Sequence, residues 1–255
     1  MKKHWIVIGI LLVLVIAGLV KIWPEAKRTY AMIKQERELK NLETEVVRIE
    51  LAGQSFNIPL RYMYGEAIEK YHRWPTAKKE RVKVGALHLS VLLPDMRPYY
   101  PEEDARWKVR GHGDRVEVSM MAFRGPSENW GKRNKLNIAL IEKFISEGRF
   151  YKKSNDVYNL THYTEIHYKG LEKQPYDAGD TYFAKDRQME VNCDREKPGF
   201  SPSCKVKSDY RQDIVLEYYY GIQHLAHWRE IDNALKAMFD KFGKAAQSEP
   251  SHKEE

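Results

Sequence analysis

The sequence predicts an α+β protein in which an N-terminal transmembrane helix is followed by mainly antiparallel sheet with packed helices. Three patterns indicate this fold class. An uncharged apolar run opens the chain, alternating apolar residues recur through its body, and two helical stripes interrupt them. No regular strand–helix–strand rhythm occurs, which favours antiparallel over parallel pairing. The order strands, helix, strands, helix also admits two similar lobes.

The apolar run predicts a single membrane span over residues 5–23. No charge occurs from Trp5 to Val20, and Trp5 and Trp23 stand where interfacial aromatic residues are common. A cleaved signal peptide is the alternative, although no good small-residue cleavage pattern follows. Both interpretations export the body of the chain. We therefore expect residues 1–4 in a bacterial cytoplasm and the body in the periplasm, either held at the inner membrane or soluble after cleavage.

The next segments predict a stalk and a first lobe. Residues 24–45 are typical of a polar helical stalk, because Glu, Lys, Gln and Leu dominate and glycine is absent. Residues 46–148 predict an α+β lobe with a β-hairpin, a further strand and a second hairpin that turns at residues 111–114. The helix of this lobe begins near the N-cap candidate Asn134 and ends at Gly148. Its predicted core stripe is Leu136, Leu140, Ile141, Phe144 and Ile145.

Residues 149–243 predict a second α+β lobe. Apolar residues recur at intervals of three and four from Trp228 to Phe242, which predicts a closing helix. Residues 244–255 are polar and predict a disordered tail. The strands of this lobe are expected around residues 157–168, 181–184, 188–192, 205–210 and 213–220.

Cys193 and Cys204 are the two cysteines of the chain, and they belong to the second lobe. The stretch between them is rich in proline, glycine, serine and charge. In an oxidising compartment this pattern predicts a loop closed by a disulfide, whereas two buried free thiols are the alternative. Closing such a loop stabilises the fold by about 2–3 kcal/mol in the chain-entropy model.

The net charge of +7 is concentrated at the N-terminus. Residues 1–28 hold five basic groups and one acidic group, whereas the remaining 227 residues hold 38 basic and 35 acidic groups. The body is therefore nearly balanced, and it contains no run of five basic residues. This distribution argues against nucleic-acid binding and favours contact of the first segment with anionic lipid headgroups.

The sequence predicts no catalytic, metal or cofactor site. His224 and His227 are three residues apart, whereas a zinc-protease helix needs two histidines four apart with a glutamate between them. No nucleophile-elbow motif and no phosphate-binding glycine loop occurs. His112 and Asp114 are better explained by a glycine-rich turn than by a catalytic pair. We therefore expect neither enzyme activity nor a small-molecule substrate.

The stretch LLPDMRPYYPEEDARW predicts a loop that binds another protein. Prolines stiffen it, so presenting its aromatic side chains to a partner costs less entropy. Tyr, Trp and Arg supply most of the binding energy at interfaces. The alternative is that the tyrosines fold back on the sheet. The candidate contacts are Tyr99, Tyr100, Glu102, Glu103, Asp104, Trp107 and Arg110, with Trp130 further along the chain.

Several stretches together resemble the membrane-anchored periplasmic immunity proteins of bacterial type VI secretion systems. These stretches are the apolar N-terminus, FNIPLRYM, LLPDMRPYYPEEDARW, GHGDRVEV, and the ending from the cysteine loop to HLAHWREIDNALKAMFDKF. The similarity is greatest to immunity proteins paired with phospholipase-type effectors, and it covers most of residues 46–243. It implies a protein without enzyme activity that binds a cognate toxin in the periplasm and occludes its active site.

Two other classes of function remain open at the level of sequence. One is an envelope scaffold or assembly protein with the same anchor and body. The other is a hydrolase with an unrecognised site, for which His112, Asp114 and the acids at residues 102–104 would have to converge in one cleft.

Overall fold

The computed structural model describes residues 44–65, 80–109, 111–122, 130–169, 174–195 and 197–248, with six isolated positions before them. Contacts divide the chain into two units, Met1–Glu45 and Val46–Glu255. The isolated positions are Trp23, Lys27, Thr29, Tyr30, Lys40 and Leu42.

The predicted N-terminal transmembrane helix is not supported. Within the described ranges, no helix combines the length and the apolar character needed to cross a bilayer. The predicted span over 5–23 lies outside those ranges except for Trp23, as does most of the predicted stalk. The predicted fold class is therefore wrong on this point, and the described chain is mainly antiparallel sheet with few helices.

The first strands form a small sheet. β1 (Val46–Leu51) and β2 (Gln54–Pro59) are the predicted hairpin, and β3 (Val82–Lys83) pairs with β1 in parallel, giving the order β2-β1-β3. The hairpin turn places Ala52 and Gly53 at positive φ, where glycine is favoured.

A second sheet of eight antiparallel strands forms the body, in the order β4-β5-β11-β10-β9-β8-β7-β6. The strands of the predicted second lobe all occur. The eight strands are β4 (Ala86–Leu92), β5 (Arg115–Ala122), β6 (Tyr151–Lys153), β7 (Leu160–Lys169), β8 (Gln174–Ala184), β9 (Met189–Asp194), β10 (Ser203–Arg211) and β11 (Ile214–Gly221).

The large sheet contradicts the predicted possibility of two similar lobes. β11 returns to pair with β5, with Tyr218 opposite Val118, so strands from both sides of residue 148 belong to one sheet. Periodicity along a strand reveals which residues face the core but not which distant strand lies beside it, and this explains the error.

Three α-helices have bounds within the described ranges from residue 46 onward: α1 (Asp104–Trp107), α2 (Trp130–Ser146) and α3 (Trp228–Gln247). Short 3₁₀ helices cover Leu60–Met63, Pro101–Glu103 and Ile222–His227. The short helix α1 replaces the strand expected before residue 111, so the second predicted hairpin is wrong. The turn at 111–114 nevertheless has the expected glycines at positive φ, Gly111 at 76° and Gly113 at 53°.

The predicted closing helix is α3, and it covers one face of the large sheet. Its apolar stripe joins the main core together with residues of β1, β2 and seven strands of the large sheet. The helix continues to Gln247, into the residues expected to be a tail. The buried residues of α3 are Trp228, Ile231, Asp232, Leu235, Met238, Phe239, Phe242, Gly243 and Ala246.

Helix α2 packs on the opposite face of the sheet, but with only part of the predicted stripe. Ile138, Ile141 and Ile145 face Tyr163 and Phe183. Leu136 and Leu140, predicted to be core, are exposed by 67% and 50%. The apolar residues of this helix spread over more than one face, so their spacing alone does not show which of them contact the sheet.

The ends of α2 also differ in part from the prediction. The helix begins at Trp130 because the carboxylate of Asp209, on β10, accepts the backbone N–H groups of Trp130 and Gly131 at 2.7 and 3.1 Å. Asn134, the predicted cap, is buried and donates to the carbonyl of Arg187 instead. Gly148 does end the helix, at φ 69°.

Candidate protein-binding surface

The loop from Pro94 to Val109 is held in place by a small aromatic cluster of its own. Trp107, on α1, is 1% exposed and packs edge-on against Tyr64 and Tyr99. The rings of Tyr64 and Tyr99 stack with centroids 4.2 Å apart and planes 7° apart. Stacked and edge-to-face pairs add to the energy of burial, so this cluster fixes the loop against the body.

Hydrogen bonds fix the same loop from within. The hydroxyl of Tyr99 donates to the carboxylate of Asp104 at 3.1 Å. Burial, and then this hydrogen bond, raise the pKa of Tyr99 to about 12. The buried guanidinium of Arg61 donates to the Tyr99 carbonyl at 3.2 Å and lies 4.4 Å from the centre of the Tyr100 ring.

The acidic residues of the loop mostly have basic partners. The carboxylate of Glu103 forms ion pairs with Arg97 at 2.8 Å and with Arg106 at 3.0 Å. The carboxylate of Asp104 pairs with the ammonium group of Lys108 at 2.6 Å. These contacts make Glu103 and Asp104 part of the loop's framework. Glu102 and Tyr100 remain exposed, Tyr100 by 38%.

The predicted contact residues therefore divide by environment. Tyr99 and Trp107 fold back on the body, whereas Tyr100 and Glu102 face solvent. Arg110 lies outside the described residues. Trp130 is 5% exposed at the start of α2, beneath the side chains of Arg133 and Lys207, and is not part of the loop. Partner binding by these residues stays a prediction.

A cleft of about 460 Å³ opens beside the loop. Its floor is apolar, and its rim combines charged groups from the loop, the 111–114 turn and the start of α3. Sequence reasoning missed this site because three separate segments build it. The lining residues are Leu93, Pro94, Met96, Arg106, Asp114, His224, His227, Glu230 and Ile231.

The rim of the cleft is an ion-pair network centred on Asp114. Arg106 donates to the Asp114 carboxylate at 2.8 Å, and His224 Nε2 lies 3.5 Å from its other oxygen. His224 Nε2 also lies 2.9 Å from the carbonyl oxygen of Gly113, a hydrogen-bonding distance. None of the residues that line the cleft carries the hydroxyl or thiol of a serine-, threonine- or cysteine-type nucleophile.

The catalytic convergence considered for a hydrolase does not occur among the described residues. The ring of His112 stacks on Tyr219 with centroids 6.2 Å apart, and His112 is not one of the residues that line the cleft. Burial lowers the pKa of His112. Glu103 and Asp114 both pair with the guanidinium of Arg106, and Asp104 pairs with Lys108 within the loop. No group of three metal-ligating side chains occurs in the described part of the chain.

The predicted disulfide between Cys193 and Cys204 is confirmed. The two cysteines are directly opposite each other on β9 and β10, so the bond closes a β-hairpin. The hairpin loop also approaches the 111–114 turn, where a Cβ on Gly111 would lie 2.6 Å from the Cβ of Ser201. The loop between the cysteines therefore supports the turn that supplies Asp114 to the cleft.

Comparisons with known proteins concern the fold. No family model and no curated relative matches this chain. Smlt3025, an immunity protein of the Stenotrophomonas maltophilia type IV secretion system, is 17% identical, with a TM-score of 0.51 over 78% of this chain and 93% of that one. FrpD, an iron-regulated outer membrane lipoprotein of Neisseria meningitidis, is 15% identical, with a TM-score of 0.50 over 79% and 93%. The chain thus has the fold of these two bacterial proteins.

Proposed function

We propose that this protein is an immunity protein, which neutralises a cognate secreted toxin by binding it rather than by catalysis. The observation that carries the proposal is the shared fold with a secretion-system immunity protein over most of both chains. The sequence resemblance to periplasmic immunity proteins points to the same role independently.

The disulfide supports action in the periplasm. Disulfides such as Cys193–Cys204 persist in oxidising compartments and are rare in the bacterial cytoplasm. A toxin that attacks the cell envelope would meet its inhibitor there.

The loop from Pro94 to Val109 is the contact surface that we favour. Its buried Trp107 and the pairs made by Glu103 and Asp104 hold it rigid before binding, which reduces the entropy lost on association. Tyr100 and Glu102 are its exposed aromatic and acidic groups, so we propose them as the direct contacts.

The finer proposal is a phospholipase-type toxin of a type VI secretion system. It rests on the sequence resemblance, and an acidic loop would suit the basic rim of a site that binds phosphate. A toxin with another activity would contradict this finer proposal while leaving the immunity role intact.

The test is binding of this protein to the product of the neighbouring gene, measured by co-purification and calorimetry. We expect Tyr100→Ala and Glu102→Lys each to weaken binding by about tenfold or more, because each would remove an exposed anchor. Glu80→Lys, the same charge change at an exposed site outside the loop, should bind normally. An absence of binding, or turnover of ester substrates by the purified protein alone, would contradict the proposal.

A further inference from the structure

Helix α2 exposes large apolar side chains that the fold does not use. Leu136 and Leu140 are 67% and 50% exposed, and Phe150, just after the helix, is 42% exposed. Other residues, Ile138, Ile141 and Ile145, make the contacts between α2 and the sheet. Clustered exposed apolar residues cost solubility, and in folded proteins such clusters mark interaction sites.

These side chains form one ridge. Leu136, Leu140 and the half-buried Phe144 follow one another at intervals of four residues, which brings them onto one side of the helix. Phe144 also stacks on Tyr151, which anchors this end of the ridge to the fold. Phe144 meets Phe150 edge-on with ring centroids 5.3 Å apart. We call Leu136, Leu140, Phe144 and Phe150 the α2 ridge.

The aromatic end of the α2 ridge is ordered. The guanidinium of Arg149 lies 5.4 Å from the centres of both the Phe144 and Phe150 rings. Glu147 holds it there by accepting Arg149 Nε at 2.7 Å. The ridge therefore presents a defined shape, which suits a partner with a complementary groove better than a fluid lipid surface.

The exposed side of α2 is basic. The basic residues around the ridge are Lys132, Arg133 and Lys143 of α2 and Arg149 just after it, and they outnumber the two acids Glu142 and Glu147. A partner with carboxylates around an apolar groove would complement both the charge and the apolar centre of the ridge.

We propose that the α2 ridge is a second contact surface for the toxin, whose matching surface is an apolar groove rimmed by acidic side chains. This inference rests on the proposed immunity role. The ridge and the Pro94–Val109 loop are separate contacts, because the loop leaves the edge strand β4, whereas α2 covers β6 to β10 in the other part of the sheet.

The experiment compares toxin affinity of the full chain with that of variants in the ridge and beside it. We expect Leu136→Ser/Leu140→Ser and Lys143→Glu each to weaken toxin binding about tenfold or more, with unchanged thermal unfolding. Lys135→Glu is the matched control, since it makes the same charge change about 100° around the helix from Leu136, whereas Lys143 lies within about 20° of it. This control should bind like the unmodified chain.

Combining the ridge and loop variants separates the possible outcomes. Distant contacts to one partner act independently, so the affinity losses of Leu136→Ser/Leu140→Ser and Glu102→Lys should multiply in the combined variant. If toxin binding responds to the loop variant but not to the ridge variants, the ridge inference is wrong and the immunity role stands. If the unmodified chain does not bind the toxin, the immunity role fails, and the ridge inference fails with it.

Vesicles test the competing lipid partner directly. Flotation with vesicles of phosphatidylglycerol and phosphatidylethanolamine should recover the unmodified chain and the Leu136→Ser/Leu140→Ser variant to the same extent. Recovery that depends on Leu136 and Leu140, together with toxin binding that does not, would assign the ridge to an anionic membrane and overturn the inference.

Discussion

Asp232 is a carboxylate buried between α3 and the large sheet. The hydroxyl of Tyr218 donates to one of its oxygens at 3.1 Å, and Lys236 pairs with the other at 2.7 Å. Burial raises the pKa of Tyr218 well above its usual range, so this phenol is a hydrogen-bond donor at neutral pH. A buried charge needs such partners, because an unpaired one is costly.

Replacing Tyr218 tests that bond. We expect Tyr218→Phe to lower the free energy of unfolding by about 1–3 kcal/mol, since it removes a hydrogen bond from a buried charge. Urea unfolding measures the change. Tyr219→Phe is the control. The hydroxyl of Tyr219 also donates to a carboxylate, that of Glu217, but this hydrogen bond is only part-buried. Equal losses in the two variants would contradict this account.

Asp180, on β8, is the centre of a second polar cluster. Its carboxylate accepts hydrogen bonds from His162 at 2.8 Å, Thr164 at 2.9 Å and Arg195 at 2.9 Å. Burial alone would raise its pKa, but the hydrogen bonds from Arg195, His162 and Thr164 outweigh burial and hold the pKa of Asp180 below its usual value. Arg195 also reaches Asp177, which pairs with Lys152.

This shift predicts acid sensitivity. A carboxylate with a lowered pKa in the folded state stabilises the fold fully above its unfolded pKa of about 3.9 and loses that contribution as pH falls through its folded pKa. We expect Arg195→Gln to destabilise the protein at pH 7 and by progressively less as the pH falls below about 3.9, measured by thermal unfolding. Arg195→Lys, which keeps a charge, should retain most of the pH dependence. A pH-independent loss in Arg195→Gln would contradict the argument.

Among the larger elements, the β9–β10 hairpin depends on a covalent link. Cys193 and Cys204 are almost fully buried, and their disulfide closes the loop that packs against Gly111. The link restricts the unfolded chain and so stabilises the folded one.

Removing the disulfide measures that contribution. We expect Cys193→Ala/Cys204→Ala to lower the free energy of unfolding by about 2–3 kcal/mol. Urea unfolding of the unmodified chain in dithiothreitol should give a similar loss. If the reduced chain were as stable as the oxidised one, the bridge would have no stabilising role.

Two leucines test which side of each long helix supports the fold. Leu235 of α3 is fully buried, whereas Leu136 of α2 is 67% exposed. We expect Leu235→Ala to cost about 2–5 kcal/mol, because it leaves a cavity in the main core, and Leu136→Ala to change stability by less than about 0.5 kcal/mol. Chemical denaturation of both variants compares them directly, and a large loss in Leu136→Ala would show that the ridge is structural.

The body is held together as a whole by one sheet that mixes early and late strands. β5 and β11 are adjacent although almost 100 residues separate them in the chain, as the pairing of Val118 with Tyr218 shows. Contacts group Val46–Glu255 as one unit. If either predicted lobe folded alone, its strand of this pair, β5 or β11, would lack its partner.

Fragments of the chain test this dependence. We expect a chain that starts at residue 44 to unfold in a single cooperative transition. Fragments 46–148 and 149–248, cut at the predicted lobe boundary, should each lack stable structure, because both lose the β5–β11 pairing. Circular dichroism with thermal unfolding reports the result, and two independently folded fragments would restore the two-lobe description.

Patterns among neighbouring residues were sufficient to predict many of the structural elements of this protein. The β1–β2 hairpin, the strands after residue 157, the helix from Trp228 and the Cys193–Cys204 bridge could all be predicted, because alternation, helical spacing and cysteine placement are properties of neighbouring residues. The aromatic and acidic loop could be recognised in the same way, although not which of its residues would be buried.

Other features depend on residues far apart in the chain. The β5–β11 pairing, the outward position of Leu136, the folding back of Trp107 and the cleft around Asp114 all arise where separate segments meet. Periodicity distinguishes an apolar face from a polar one, but it does not specify which partner covers that face. Burial is settled only when the strands and helices pack, and for that reason the candidate surfaces became visible only in the folded molecule.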